Sequence, residues 1–146
     1  MPSFHSSALS FAIYLLLPLA LMLMTAAPAR AADGDGERVF ELRTYIAAPG
    51  KLDALNKRFR EHTCELFKKH GMTLIGFWVP TDGDAAKNTL TYVLAHKDRA
   101  SADASWKAFR ADPVWNEAKK ASEVDGSLTE KVTSVFMSPT DYSPLK

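Results

Sequence analysis

The stretch Val39-Phe40-Glu41-Leu42-Arg43-Thr44-Tyr45-Ile46 (VFELRTYI) alternates with the period of a β-strand. One face carries Phe40, Leu42, Thr44 and Ile46, and has the composition of an ordinary core side. The other carries Val39, Glu41, Arg43 and Tyr45, half charged and half aromatic. That second face either looks at a subunit seam or lines a site.

Outward from this strand, the punctuation is clear. Pro49-Gly50 closes it and opens a helix from about Lys51 to His70, with Leu52, Leu55, Phe59, Leu66 and Phe67 at helical spacing. Lys68, Lys69 and His70 suit the negative end of the helix dipole, and Gly71 is its natural stop. MTLIGFWVP (72–80) reads as a second strand, with Leu74 and Trp78 on one face and Ile75, Phe77 and Val79 on the other. A strand apolar on both faces is covered on both faces. Thr81-Asp82-Gly83-Asp84 makes a turn into a third strand, Thr89 to His96. Asp98 caps a helix carrying Ala102, Trp106 and Phe109 on one stripe, and Asp112-Pro113 ends it and starts another, since Asp caps well and Pro suits the first helical turn. Asp125-Gly126 turns into a last strand, Thr129 to Met137.

The order β-α-β-β-α-(α)-β predicts an α+β plait: a four-stranded antiparallel sheet with its helices on one face. The other face is left bare, although the second strand has apolar residues to bury there. A second copy packed sheet to sheet across a two-fold axis is the economical cover.

The termini and composition bound the rest. Leu9 to Met24 is apolar apart from Ser10 and is followed by Ala29-Arg30-Ala31. A short apolar run before a small-residue site is the pattern of a secretory signal peptide, although this one has no Lys or Arg at its start. The alternative is a retained anchor, for which the run is short and interrupted by Pro18. Residues 1–31 are therefore expected to be removed near Ala31/Ala32, leaving an exported, periplasmic or extracellular chain with no membrane contact. Residues 32–38 read as a disordered acidic leader and 39–146 as one domain. Charges balance over 32–146, which gives no electrostatic reason to expect a nucleic acid partner. Cys64 is the only cysteine, so no intrachain disulfide staples the fold.

FELRTYIAAPGKLDAL (40–55), FKKHGMTLIGFWV (67–79) and LTYVLAHKDRASADASWKAFRADPVWNEAKK (90–120) resemble the NIPSNAP family of the dimeric α/β-barrel superfamily. The ELRTY-x4-G opening and the AFRADPVW segment are its most specific parts. The resemblance implies a ferredoxin-like subunit that dimerises into an α/β barrel, and implies no agreed reaction.

Chemistry-bearing motifs are few. No GxGxxG, phosphate loop, GxSxG, HExxH or CxxC is present, and His62 and Cys64, two apart on a helix, point in different directions. No metal and no cofactor is expected. What remains is polar groups on apolar faces. Arg43, Tyr45, Trp78, Tyr92 and His96 are the candidate ligand-binding residues, for a small organic molecule with a carboxylate, carbonyl or enolate. His62 is the candidate proton acceptor should the chain share the cofactor-free monooxygenase or isomerase-like chemistry that relatives in the superfamily imply. Each has a plainer alternative. Glu41 and Arg43 also suit an ion pair at a dimer interface. His62 also suits a hydrogen-bonded structural role, and the tyrosines suit packing with their hydroxyls at the rim. Trp106, Phe109 and Trp115 read as core. A non-catalytic dimeric scaffold with no ligand stays open.

Overall fold

The computed structural model describes residues 38–146 together with Met1. The expected signal peptide at 1–31 and nearly all of the expected leader at 32–38 lie outside the described residues. The elements are β1 (Val39–Ala47), α1 (Leu52–Arg58), a π-helical turn (Phe59–Thr63), α2 (Cys64–Lys69), β2 (Thr73–Trp78), α3 (Ala85–Asn88), β3 (Thr89–His96), α4 (Arg99–Ala111), α5 (Pro113–Ser122) and β4 (Thr129–Met137). The four strands form one antiparallel sheet in the order β2-β3-β1-β4. This is the expected α+β plait, with the one-turn α3 added after the turn at 81–84.

Local signals set the element ends. Gly71 takes φ +78° after α2, and Met72 N–H reaches Phe67 O at 3.0 Å while Gly71 N–H reaches Lys68 O at 3.0 Å. That is a Schellman stop, which needs the left-handed backbone that glycine adopts freely. Asp98 accepts from Ser101 N–H at 2.6 Å and starts α4. Asp112 accepts from Val114 N–H at 2.8 Å and starts α5, with Pro113 in its first turn. Asp112 also receives Lys69 Nζ and pairs with His70 Nε2, each at 2.7 Å, tying the end of α2 to the α4–α5 corner. Those hydrogen bonds, from Lys69 first and then His70, hold its carboxyl well below the usual carboxylate range.

The core lies between helices and sheet. Leu55, Phe67, Tyr92 and Leu94 are fully buried there, with Phe59, Trp106 and Phe109 close around them. Tyr92 is the hub: Phe77 stacks on it at 5.1 Å, Phe59 meets it edge-on at 5.3 Å and Phe67 lies at 5.9 Å.

Two expectations about faces are corrected. The helix-facing side of β1 is Glu41, Arg43 and Tyr45, and the apolar side of Phe40, Leu42, Thr44 and Ile46 is turned away from the helices. Pairing shows this directly, because Tyr45 stands beside Leu90 and Arg43 beside Tyr92, both on the core side of β3. The charged pair is tolerated because its hydrogen bonds are met inside the subunit. On β2, the register slips by one residue between Leu74 and Gly76. This bulge leaves Leu74 and Phe77 on the helix side and puts Ile75 and Trp78 on the far side. Leu74 and Trp78 therefore do not share a face.

Among the described residues no element covers the whole far side. Trp78 is 54% exposed and Val135 55% exposed. An open groove of about 390 Å³ runs there between Phe40, Ile75, Trp78, Val93, Met137 and Leu145.

The long first helix is continuous from Leu52 to Lys69 but not uniform. In its π turn Cys64 N–H reaches back to Phe59 O, and Thr63 Oγ1 donates to Arg58 O at 3.3 Å.

Candidate functional site

Glu41 is the centre of a polar cluster set into the aromatic core. It stands in mid-sheet, between β3 and β4, and is 1% exposed. A carboxylate buried this far is stable only when its lone pairs are filled. All are engaged: Oε1 accepts from Arg43 Nη1 at 2.7 Å and Ser134 Oγ at 2.6 Å. Oε2 accepts from Trp106 Nε1 at 2.6 Å and meets His96 Nε2 at 3.1 Å. Burial alone would raise its pKa. The hydrogen bonds from His96, Ser134, Trp106 and Arg43 outweigh burial and bring it down to about 2. Glu41 is thus a fixed negative charge, not a base at neutral pH.

Arg43 lies beside it, its side chain 17% exposed. Its guanidinium carbon sits 4.2 Å from the centre of the Trp106 ring and 5.7 Å from that of Tyr45. Nη1 goes to Glu41, and Nε is buried with no acceptor among the described residues. Burial works against its charge, and Tyr92, Tyr45 and Glu41 together hold it raised above the ordinary guanidinium value. The hydroxyl of Tyr92 donates to that of Tyr45 at 3.1 Å just beyond. Burial, and then the nearby Tyr45, push the Tyr92 phenol well up. His96 Nδ1 is likewise buried without a partner among the described residues.

The structure therefore brings Arg43, Tyr45, Tyr92 and His96, four of the expected ligand-binding residues, onto one surface around Glu41. Both Glu41 and Arg43 face the chain's own helices, where an interface pair had been the alternative. Trp78 is on the opposite side of the sheet from Tyr92, a consequence of the β2 bulge. His62 is exposed and lines a separate groove of about 270 Å³ between α1 and α5, with Lys57, Glu61 and Ala118. Arg43 is not among the residues lining that groove. Arg99 is directed to Asp103 at 3.3 Å and lies over Phe136 at 3.7 Å.

Two members were missed. Trp106 reads as core from its spacing and is core, yet its indole N–H is also a buried donor that needs an acceptor. That requirement was the available signal for Glu41. Ser134 carried no signal, because its place depends on the β1–β4 register, where it stands opposite Arg43. Among the described residues no group of three or more His, Cys, Asp or Glu is placed to hold a metal.

The NIPSNAP family model matches residues 40–144. A NIPSNAP family protein with unknown function from Agrobacterium tumefaciens superposes with a TM-score of 0.66 at 24% identity, over 77% of this chain and 97% of that one. An uncharacterised NIPSNAP-like domain protein from Burkholderia xenovorans gives 0.65 at 17% identity, over 75% and 90%. A monooxygenase of Streptomyces coelicolor in complex with nanaomycin D gives 0.50 at 17% identity, over 70% and 87%. At these identities the likenesses carry the fold alone. No curated protein sequence matches the chain.

Proposed function

This chain belongs to the NIPSNAP family, and we propose that it is an exported homodimer holding a small organic ligand at Arg43, between sheet and helices. The observation that carries the ligand site is Arg43 itself. A largely buried guanidinium on an indole face, with one hydrogen bond spent on Glu41 and Nε unpaired, is an unfinished donor set beside aromatic walls. Small-molecule sites have this make-up, apolar walls with a few fixed polar groups.

Dimerisation rests on the far side of the sheet. Four strands of this length present roughly 500 Å² of flat sheet, and side-chain relief raises the contact toward the roughly 800 Å² per partner of a standard interface. Phe40, Ile75, Val93 and Trp78 supply the apolar centre.

The enzymatic alternative, a cofactor-free monooxygenase or isomerase, needs a proton acceptor beside Arg43. His62 stands in another groove, and the lone pairs of Glu41 are filled. Binding without turnover is therefore the better-supported reading, and a scaffold without ligand is the outcome if nothing binds.

Calorimetric titration of residues 32–146 with nanaomycin D, 2-acetylnaphthalene and 2-naphthoate tests the site. Binding tighter than about 1 mM that is lost in Arg43→Met supports it. Failure of all three probes on a folded dimer leaves the scaffold. Light scattering at micromolar concentration tests the dimer, and a monomer sinks it.

A further inference from the structure

We infer that the segment 138–146, which follows β4, is one wall of the interface with a second copy, so that the second copy docks into the groove between this segment and the sheet. This rests on the dimer reading above and deepens it, because the sheet face alone then does not make the interface.

The groove on the far side of the sheet has two unlike walls. Ile75, Trp78 and Val93 stand on the strands, and Pro139 and Leu145 on the segment beyond them. The segment makes its own shape. Ser143 N–H donates to Thr140 O at 3.0 Å, Ser143 Oγ to Leu145 O at 2.7 Å, and Lys146 Nζ to Asp141 O at 2.8 Å. Its one hydrogen bond to the rest of the chain, among the described residues, comes from Arg38 Nη1 to Lys146 O at 3.4 Å. No hydrogen bond ties it to a strand, so apolar contact is what sets it against the sheet.

A lid over an apolar sheet would fill the space beneath it. This segment leaves about 390 Å³ open, with Leu145 52% exposed on one wall and Trp78 54% exposed on the other. Apolar side chains left in water on both walls of one groove mark a surface for another body. Area points to a second copy as that body. The flat sheet offers roughly 500 Å², short of the roughly 800 Å² per partner of a standard interface. The segment adds apolar surface on the same side of the sheet. Across a two-fold axis each such surface is used twice, since the segment of either copy bears on the other.

Sedimentation velocity over a dilution series of residues 32–146 gives the dimer dissociation constant. Leu145→Asp, at a half-exposed position, should raise that constant at least about tenfold. Leu145→Met keeps the apolar bulk and should leave it within about threefold. Ending the chain at Met137 should weaken the dimer at least as much as Leu145→Asp, with the fold of every variant checked by circular dichroism. An unchanged or smaller constant in Leu145→Asp overturns the inference while leaving the sheet-face dimer standing. A monomeric unaltered protein overturns the dimer, and the inference with it. Should the shortened chain fail to fold, the two Leu145 variants still decide.

Discussion

The hydroxyl of Tyr92, sealed at the centre of the core, finds its acceptor in the hydroxyl of the half-buried Tyr45, 3.1 Å away. The two partners are not equivalent. Tyr45→Phe strands a buried donor, at a cost of about 1–3 kcal/mol, whereas Tyr92→Phe frees a hydroxyl nearer the rim and costs about 0.5–1 kcal/mol. Urea unfolding of the two variants should therefore rank Tyr45→Phe as the less stable. The reverse order would mean that the Tyr45 hydroxyl has no special duty.

The carboxyl of Glu41 predicts an acid dependence. Its folded pKa of about 2 is depressed from the ordinary 4.5. Its contribution is therefore complete above about pH 4.5 and is lost as pH falls toward 2. The depression corresponds to about 3 kcal/mol at neutral pH. Denaturation midpoints taken between pH 6 and pH 2 should fall across that window, and much less in Glu41→Gln. Parallel curves for the two proteins would remove Glu41 as the source.

Arg43 and His62 separate cleanly by stability. His62→Ala, at an exposed position, should change unfolding free energy by less than about 0.5 kcal/mol. Arg43→Met takes a partner from a buried carboxylate and should cost about 3 kcal/mol, the scale of a broken buried pair. A large effect at His62 would contradict its exposed position.

Gly76 lies under the Trp78 ring so closely that a Cβ there would come within 2.5 Å of it. Gly76→Ala should therefore lift Trp78 off the strand, with a shift in its emission and a loss of dimer in light scattering. Unfolding free energy should move by only about 1 kcal/mol, because a half-exposed ring can give way. Unchanged emission would show that Trp78 does not rest on Gly76 in solution.

Val93→Lys places a charge at the middle of the far side of the sheet, between Phe40 and Trp78 in the same groove. It should leave the circular dichroism spectrum intact and shift the protein to monomer at micromolar concentration. A dimer that survives it assembles through another surface.

Much of this fold is legible from residues close in sequence. Gly71, Asp98 and Asp112-Pro113 mark helix ends through contacts made within a few positions, and the strand and helix periods set the element order. The face of β1 was not legible. Phe40, Leu42 and Ile46 look like the core side, and hydrophobicity alone chooses them. The choice is reversed by donors 55, 65 and 93 positions away, His96, Trp106 and Ser134, which make Glu41 acceptable inside. Nor does the period show the bulge at Ile75, since the strand is apolar on both sides; Gly76, an isolated glycine within it, is its one local mark. For that reason the pattern sets Trp78 with Tyr92 and the structure parts them, whereas Arg43, Tyr45, Tyr92 and His96, on regular strands, share one side of the sheet.

The π turn at Phe59–Thr63 has a consequence for how this helix tolerates change of length. A wider turn takes up a residue that a plain α-helix would have to absorb by rotating everything beyond it. Deleting one residue between 59 and 63 should therefore leave plain α-helix with Phe67 still against Tyr92, whereas a residue added to a plain α-helical turn swings everything beyond it by about 100°. The turn thus acts as a phase corrector: the two halves of the helix each meet the sheet in step, although they are not in step with one another.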